Sequence, residues 1–352
     1  MSLHEVERQA TSWDQPLTGS LDLLVVRSEA LADNPLGDPA IRPLYVYRPP
    51  GVGVASDSAD RLPAVYMLQG FGGRVEEWLA PDSGGLTTVE RLDSMFATGG
   101  SPPALLVFLD AWTSRGGSQF LNSTSTGRYL DYVCDEVVPF VDARYPTLAA
   151  HEHRGVSGKS SGGYGALVLS MLRPDVFGAL ASHAGDALFE SCYRPLFPAA
   201  ARMLRDQFGG SWEAFEQRID APGFDWRECP VLFAAYGTAC AYTPDPERPG
   251  KALIPFDKLT GRPADDLWQR WLSLDPVRMA ATHAEALAGM RRIYLDAGRQ
   301  DEFFLDLGAL ALSVELTRLG IEHSLELFDG NHDGVDRRMP AAVAELTHAI
   351  QE

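Results

Sequence analysis

The chain has 352 residues, 45% of them apolar, enough to bury a sizeable core without disulfides or a structural metal. Thirty basic and 48 acidic residues leave a net charge of −18 and a pI near 4.8, which argues against nucleic-acid backbones, anionic membrane surfaces and polyanionic substrates as partners. The four cysteines, Cys134, Cys192, Cys229 and Cys240, show no C-x-x-C pair and no zinc-ligand spacing, so buried thiols are expected rather than a disulfide scaffold. Residues 1–8 lack a basic stretch followed by an apolar one, and no run approaches the ~18 apolar residues of a membrane-crossing helix, so a cytoplasmic protein is expected.

In chain order, residues 21–26 and 44–47 read as strands, and the Asn34-Pro35 and Gly37-Asp38-Pro39 turn signals between them suggest an antiparallel hairpin at a sheet edge. Residues 49–63, rich in Gly, Ser, Ala and Asp, read as a surface loop. Strands follow at 64–68 and 105–109. Tyr129, Tyr132, Val133, Val137 and Phe140 then share one helical face. A further strand is expected at 231–235, followed by a Pro/Gly-dense excursion over 243–263 between strand and helix. Residues 293–295 and 325–328 read as the last strands. The helix between them presents Phe304, Leu307, Ala311 and Val314, and the last helix Met339, Val343, Leu346 and Ile350. Several strands are continuously apolar, as in parallel sheets covered on both faces. The alternation over the whole length predicts an α/β fold with one doubly wound, mainly parallel sheet. It is read as a single domain over 1–352, with an insertion at 186–283 that forms part of a roof over the site.

The sharpest motif is Arg154-Gly-Val-Ser-Gly158-Lys159-Ser160-Ser161-Gly162-Gly163-Tyr164-Gly165-Ala166. Gly158-x-Ser160-x-Gly162 is the pattern of a nucleophile elbow, a strained strand-to-helix turn that presents a serine at the sheet edge, with free helix N–H groups behind it. Gly158-Lys159-Ser160 also matches the end of a phosphate-binding loop. That motif needs a glycine at position 153, which is histidine, and it gives no reason for Gly162, Gly163 and Gly165.

A nucleophilic serine needs a histidine base and an acid, which follow such elbows downstream in the order acid, then histidine. His332 lies after the last strand in the loop Asp329-Gly-Asn-His332-Asp-Gly334. Its rival His183, in Ser182-His183-Ala-Gly-Asp186, breaks the chain order and reads as a hydrogen-bonded residue at a strand end. Its spacing to Asp186 could suggest a metal, but no second histidine supports one. For the acid, Asp301 lies beyond the end of its strand, where a carboxylate reaches an imidazole. Asp296 is still in the strand, and Glu302 is a third choice. One oxyanion donor comes from the residue after the nucleophile, Ser161, and the other from the glycine-rich loop Gln69-Gly70-Phe71-Gly72-Gly73. Trp78, Trp112, Tyr242 and Trp268 are candidates to line a substrate pocket, the alternative for Trp268 and Trp271 being plain helix packing.

Taken together, these motifs resemble the putative-esterase branch of the α/β-hydrolase superfamily, which includes esterase D (S-formylglutathione hydrolase), enterochelin-type esterases and the mycolyltransferases. The residues that carry the resemblance are Leu68-Gln-Gly-Phe-Gly-Gly, Asn122-Ser123 through Tyr129-Leu-Asp131-Tyr132 with Glu136-Val-Val-Pro139, the Ser160 elbow, Gly298-Arg-Gln-Asp301 and Gly330-Asn-His332. It implies an α/β-hydrolase fold, a Ser160–Asp301–His332 triad, and Phe71 and Ser161 as oxyanion donors. Many relatives carry an apolar residue where this chain has Ser161, and Lys159 before the nucleophile is not general. The expected activity is that of a serine carboxylesterase acting on a small or medium ester, with acyl transfer to an alcohol or a silent binding protein as alternatives. No metal and no organic cofactor are implied. The expected partner is a small-molecule ester substrate, with neither nucleic acid nor membrane, and a homodimer is allowed.

Overall fold

Nine strands form one sheet in the computed structural model, which describes residues 4–8, 16–53, 61–81 and 85–351. The strands are β1 (His4–Arg8), β2 (Ser20–Arg27), β3 (Ile41–Arg48), β4 (Ala64–Leu68), β5 (Leu105–Leu109), β6 (Arg154–Lys159), β7 (Ala179–His183), β8 (Arg292–Gly298) and β9 (Ser324–Phe328). Their spatial order is β1-β2-β3-β5-β4-β6-β7-β8-β9. From β5 to β9 the six strands run parallel, while β3, β2 and β1 add antiparallel pairs. The expected hairpin is β2–β3, with β1 outside it at the edge. Of the loop at 49–63, residues 54–60 lie outside the described residues.

Helices cover both faces, as the continuously apolar strands require. On one side lie α1 (Thr88–Ala97) and the final helix; on the other lie a helix over residues 129–144, called α2, and α3 (Ser161–Leu172). Helix α1 starts on a capping box in which Thr87 and Glu90 satisfy each other's backbone N–H. Helix α2 buries Tyr129, Tyr132, Val133 and Val137 and takes a π-helical turn at Tyr132–Val137. The turn places Glu136 inside, where its carboxylate accepts from Ser28 Oγ at 2.5 Å and Ala30 N–H at 2.8 Å, fixing the start of the β2–β3 connection. Arg42 and Asp110 form a buried ion pair at 2.9 Å beside the Tyr129 hydroxyl.

The stretch between β7 and β8 carries α4 (Leu196–Phe208), α5 (Trp212–Ile219), α6 (Pro230–Tyr242), α7 (Asp265–Leu272) and α8 (Pro276–Thr282). The strand expected at 231–235 is therefore wrong: these residues lie in α6, with Pro230 at the first helical turn. A run buried on every side has no period to distinguish helix from strand. For the same reason the 243–263 excursion joins two helices rather than a strand and a helix.

Between β8 and β9 runs α9 (Leu305–Arg318), and α10 (Met339–Ile350) closes the chain. Met339, Val343, Leu346 and Ile350 are all buried, as expected. In α9 the expected inward face is corrected. Leu305, Gly308, Ala309, Leu312 and Leu316 are buried, whereas Phe304, Leu307 and Val314 are exposed together with Phe303 and Leu310. The helix is apolar on two sides, so its pattern does not reveal which side faces the core. All four cysteines are buried free thiols. Among the described residues no helix is long and apolar enough to cross a membrane.

Candidate active site

Parallel strands end on one edge, so the loops after β4, β6, β7, β8 and β9 converge there. Ser160 occupies the turn from β6 into α3 with φ 54° and ψ −126°, a conformation costly for a residue with a side chain and held by its surroundings. Its N–H donates to the His183 carbonyl at 2.9 Å. The turn needs its glycines: a Cβ on Gly158 would stand 2.3 Å from the Gly162 carbonyl oxygen, and one on Gly162 would stand 2.4 Å from that of Leu68. Every residue of α3 from Ser161 to Met171 is buried, so the first N–H groups of a central, fixed helix lie directly behind the serine.

The loop after β4 passes close by. A Cβ on Gly70 would lie 3.2 Å from Ser160 Cβ and 3.8 Å from its Oγ. Gly72 N–H donates to Gly116 O and Gly73 N–H to Gly70 O, fixing the loop around Phe71, whose ring meets Phe233 of α6 at 6.0 Å.

His332 begins a short helix, His332–Arg338. Its Nδ1 lies 2.7 Å from Asp301 Oδ2, with the Asp301 carboxylate buried and the imidazole 18% exposed. Asp301 Oδ1 accepts from the N–H of Phe303 at 2.9 Å. The two loops can touch because Gly298 has no side chain, since a Cβ there would fall 2.5 Å from Gly330 O. Glu302, third choice for the acid, accepts from His332 N–H and Asn331 Nδ2, each at 3.1 Å. It holds the histidine loop by its backbone rather than by its ring. Burial pulls the His332 imidazole pKa down and Lys159 adds to this, but the hydrogen bond and charge of Asp301, with the charge of Asp186, prevail and raise it above the usual histidine value.

The rival pair is also brought together, elsewhere. His183 Nδ1 lies 2.7 Å from Asp296 Oδ1, both side chains fully buried, and His183 Nε2 is 3.3 Å from Ser157 Oγ.

Asp186 was read only as a neighbour of His183, and its place is behind the elbow. Its Oδ2 accepts from Tyr193 OH at 2.6 Å, Ser161 Oγ at 3.0 Å and Gln119 Nε2 at 3.3 Å. Burial pushes its pKa up against those hydrogen bonds and the charge of His332. No sequence spacing links Gln119, Ser161, Asp186 and Tyr193, although a serine where relatives carry an apolar residue was a signal that something polar lay beneath.

Of the four aromatic candidates, two line clefts beside the loop after β4, neither of them lined by Ser160, Asp301 or His332. Trp112 lines a cleft of about 220 Å³ with Gly72, Phe224, Trp226 and Phe233, and Trp78 lines another of about 230 Å³ with Lys159 and Asp336. Tyr242 is buried behind Ser161, with its hydroxyl accepting from Gln119 at 3.1 Å. Trp268 is not brought to the site and packs on Phe197 and Trp271.

Residues 41–335 match the model of the family described as putative esterase. The chain belongs to the putative esterase family. It is thus an ester-hydrolysing enzyme with the α/β-hydrolase fold. Part of this esterase, 134 residues or 38% of the chain, is 26% identical to an endo-1,4-beta-xylanase/feruloyl esterase of Xylanibacter ruminicola, and the match spans 18% of that protein's length. Among solved structures it is similar to a ferulic acid esterase (TM-score 0.59, 14% identity, 95% of this chain and 100% of that one). It is also similar to an S-formylglutathione hydrolase from Agrobacterium tumefaciens (TM-score 0.56, 15% identity, 98% and 99%). At such identities the structural likeness speaks for the fold.

Proposed function

We propose that the esterase is a serine carboxylesterase working through an acyl-enzyme on Ser160. The observation that carries this reading is the His332–Asp301 hydrogen bond of 2.7 Å on loops that converge with a serine held at φ 54°. Ser160 Oγ attacks the ester carbonyl carbon as His332 Nε2 takes its proton, while Asp301 holds Nδ1–H and stabilises the imidazolium. The N–H groups of Phe71 and Ser161 receive the oxyanion. Collapse expels the alcohol, which leaves with the proton from His332. Water then attacks the acyl-enzyme, giving its proton to His332, and the acid departs with Ser160 restored. Residues 186–283 form part of the roof, a reading supported by Phe233 of α6 packing on Phe71.

The substrate is a small or medium ester, neutral or cationic given the charge of −18. The aromatic cleft beside Gly72 favours one with a flat aromatic portion, in keeping with relatives named for ferulic esters. A fluorophosphonate probe should label the wild type and leave Ser160→Ala unlabelled and inactive. Equal labelling of both, or of neither, sinks the mechanism. On the substrate side, methyl ferulate should turn over with a higher kcat/KM than methyl butyrate, and the reverse order removes the aromatic reading while leaving the esterase.

A further inference from the structure

Four ionisable side chains stand in a row across the carboxyl ends of β6 to β9. The register sets Lys159 opposite His183, His183 opposite Asp296 and Asp296 opposite Glu326. Matched positions on neighbouring parallel strands share a face, here the face covered by α1 and α10. The helix His332–Arg338 lies across this row and grips it at both ends. Lys159 Nζ is 2.7 Å and 2.9 Å from the two carboxylate oxygens of Asp336. At the other end Arg338 Nε is 3.3 Å from Asp296 Oδ2, and its Nη2 donates to Tyr294 OH at 2.9 Å and to the Glu326 carboxylate.

Lys159 is the residue before the nucleophile, and Asp336 lies four residues beyond the histidine on the same short helix. Their ion pair therefore ties the elbow strand to the helix that His332 begins. The Lys159–Asp336 pair is part-exposed on both sides, and such pairs contribute little to folding, so stability is a poor account of it. Position is a better one, because the imidazole hangs from the first residue of a helix that follows a glycine-rich loop.

We propose that the row and its two ion pairs form a clasp that positions His332 over Ser160, with Lys159 and Asp336 as positioning residues. The clasp rests on the reading of His332 as the base. It explains a lysine at 159, where the elbow itself asks for no particular side chain. Arg338 holds the far end through Asp296, whose other oxygen is taken by His183.

The test uses p-nitrophenyl acetate, a fluorophosphonate and hydrogen exchange on the full chain. Lys159→Met and Asp336→Asn should each lower kcat by about 10²-fold with KM within about twofold, as expected for an angstrom-scale misplacement. Labelling of Ser160 should slow by the same factor, and exchange at residues 331–338 should quicken while the melting temperature holds. Lys159→Arg should retain kcat within about fivefold, and the exchanged pair Lys159→Asp with Asp336→Lys should recover at least about tenfold of the loss. The clasp is overturned if the single variants keep kcat, or if the loss tracks KM or the melting temperature instead. A wild type that neither hydrolyses nor labels would end the esterase reading, and exchange at 331–338 would then still decide the clasp, with unchanged protection overturning it.

Discussion

The molecule contains two Ser–His–Asp arrangements built from the same residue types on neighbouring strands. Ser157, His183 and Asp296 lie within β6, β7 and β8, with His183 and Asp296 fully buried. Ser160 and Asp301 lie a few residues further along from Ser157 and Asp296, beyond the strand ends, and His332 follows β9, with its imidazole part-exposed. Both histidines meet their aspartate at 2.7 Å. Reactivity therefore does not come from the residue types or from the His–Asp distance. On the proposed reading it comes from where the backbone leaves the sheet: Ser157 is buried within its strand, while Ser160, at φ 54° in the elbow, is part-exposed.

The comparison breaks most sharply at the acids. Asp301→Asn should lower kcat by about 10⁴-fold, since an amide fixes the wrong imidazole tautomer. Its pH profile carries a second signature. His332 has a raised pKa and acts as a base only when neutral, so wild-type kcat/KM should climb with pH through a value above the usual histidine range. Removing the Asp301 charge should move that limb to lower pH, and a limb that stays in place would mean another group raises the imidazole.

Asp296→Asn should do the opposite in kind. Losing one partner of a buried charged network costs about 3–5 kcal/mol, read by urea unfolding, while kcat per folded molecule falls by at most about 10²-fold, the loss expected when the clasp that Arg338 holds through Asp296 is loosened. A larger activity loss at equal folding would place the buried trio in the reaction. Smallest is Ser157→Ala, which should cost about 1 kcal/mol for one hydrogen bond and leave labelling of Ser160 unchanged.

Much of this arrangement was written locally in the chain. Gly158-x-Ser160-x-Gly162 encodes the elbow because the turn closes to within van der Waals contact of its own glycines. Asp301 was separable from Asp296 because one stands past a strand end and the other within it. What the chain does not write locally is register. The row Lys159, His183, Asp296 and Glu326 exists because four strands align, and the Asp186–Ser161–Gln119 contacts exist because two loops meet the start of α3. Helix α6 and the outward face of α9 were misread for a related reason: burial on all sides, or apolar residues on two, removes the period from which a face is read.

The buried cysteines carry a practical consequence. Burial pushes the Cys134 thiol up to about 12 and those of Cys229 and Cys240 to about 11, with Cys192 also well above the usual value. Almost no thiolate is present at neutral pH, and the thiolate is the form that alkylating reagents and oxidants attack. An active-site count by serine-directed reagents can be made without thiol chemistry intruding on it.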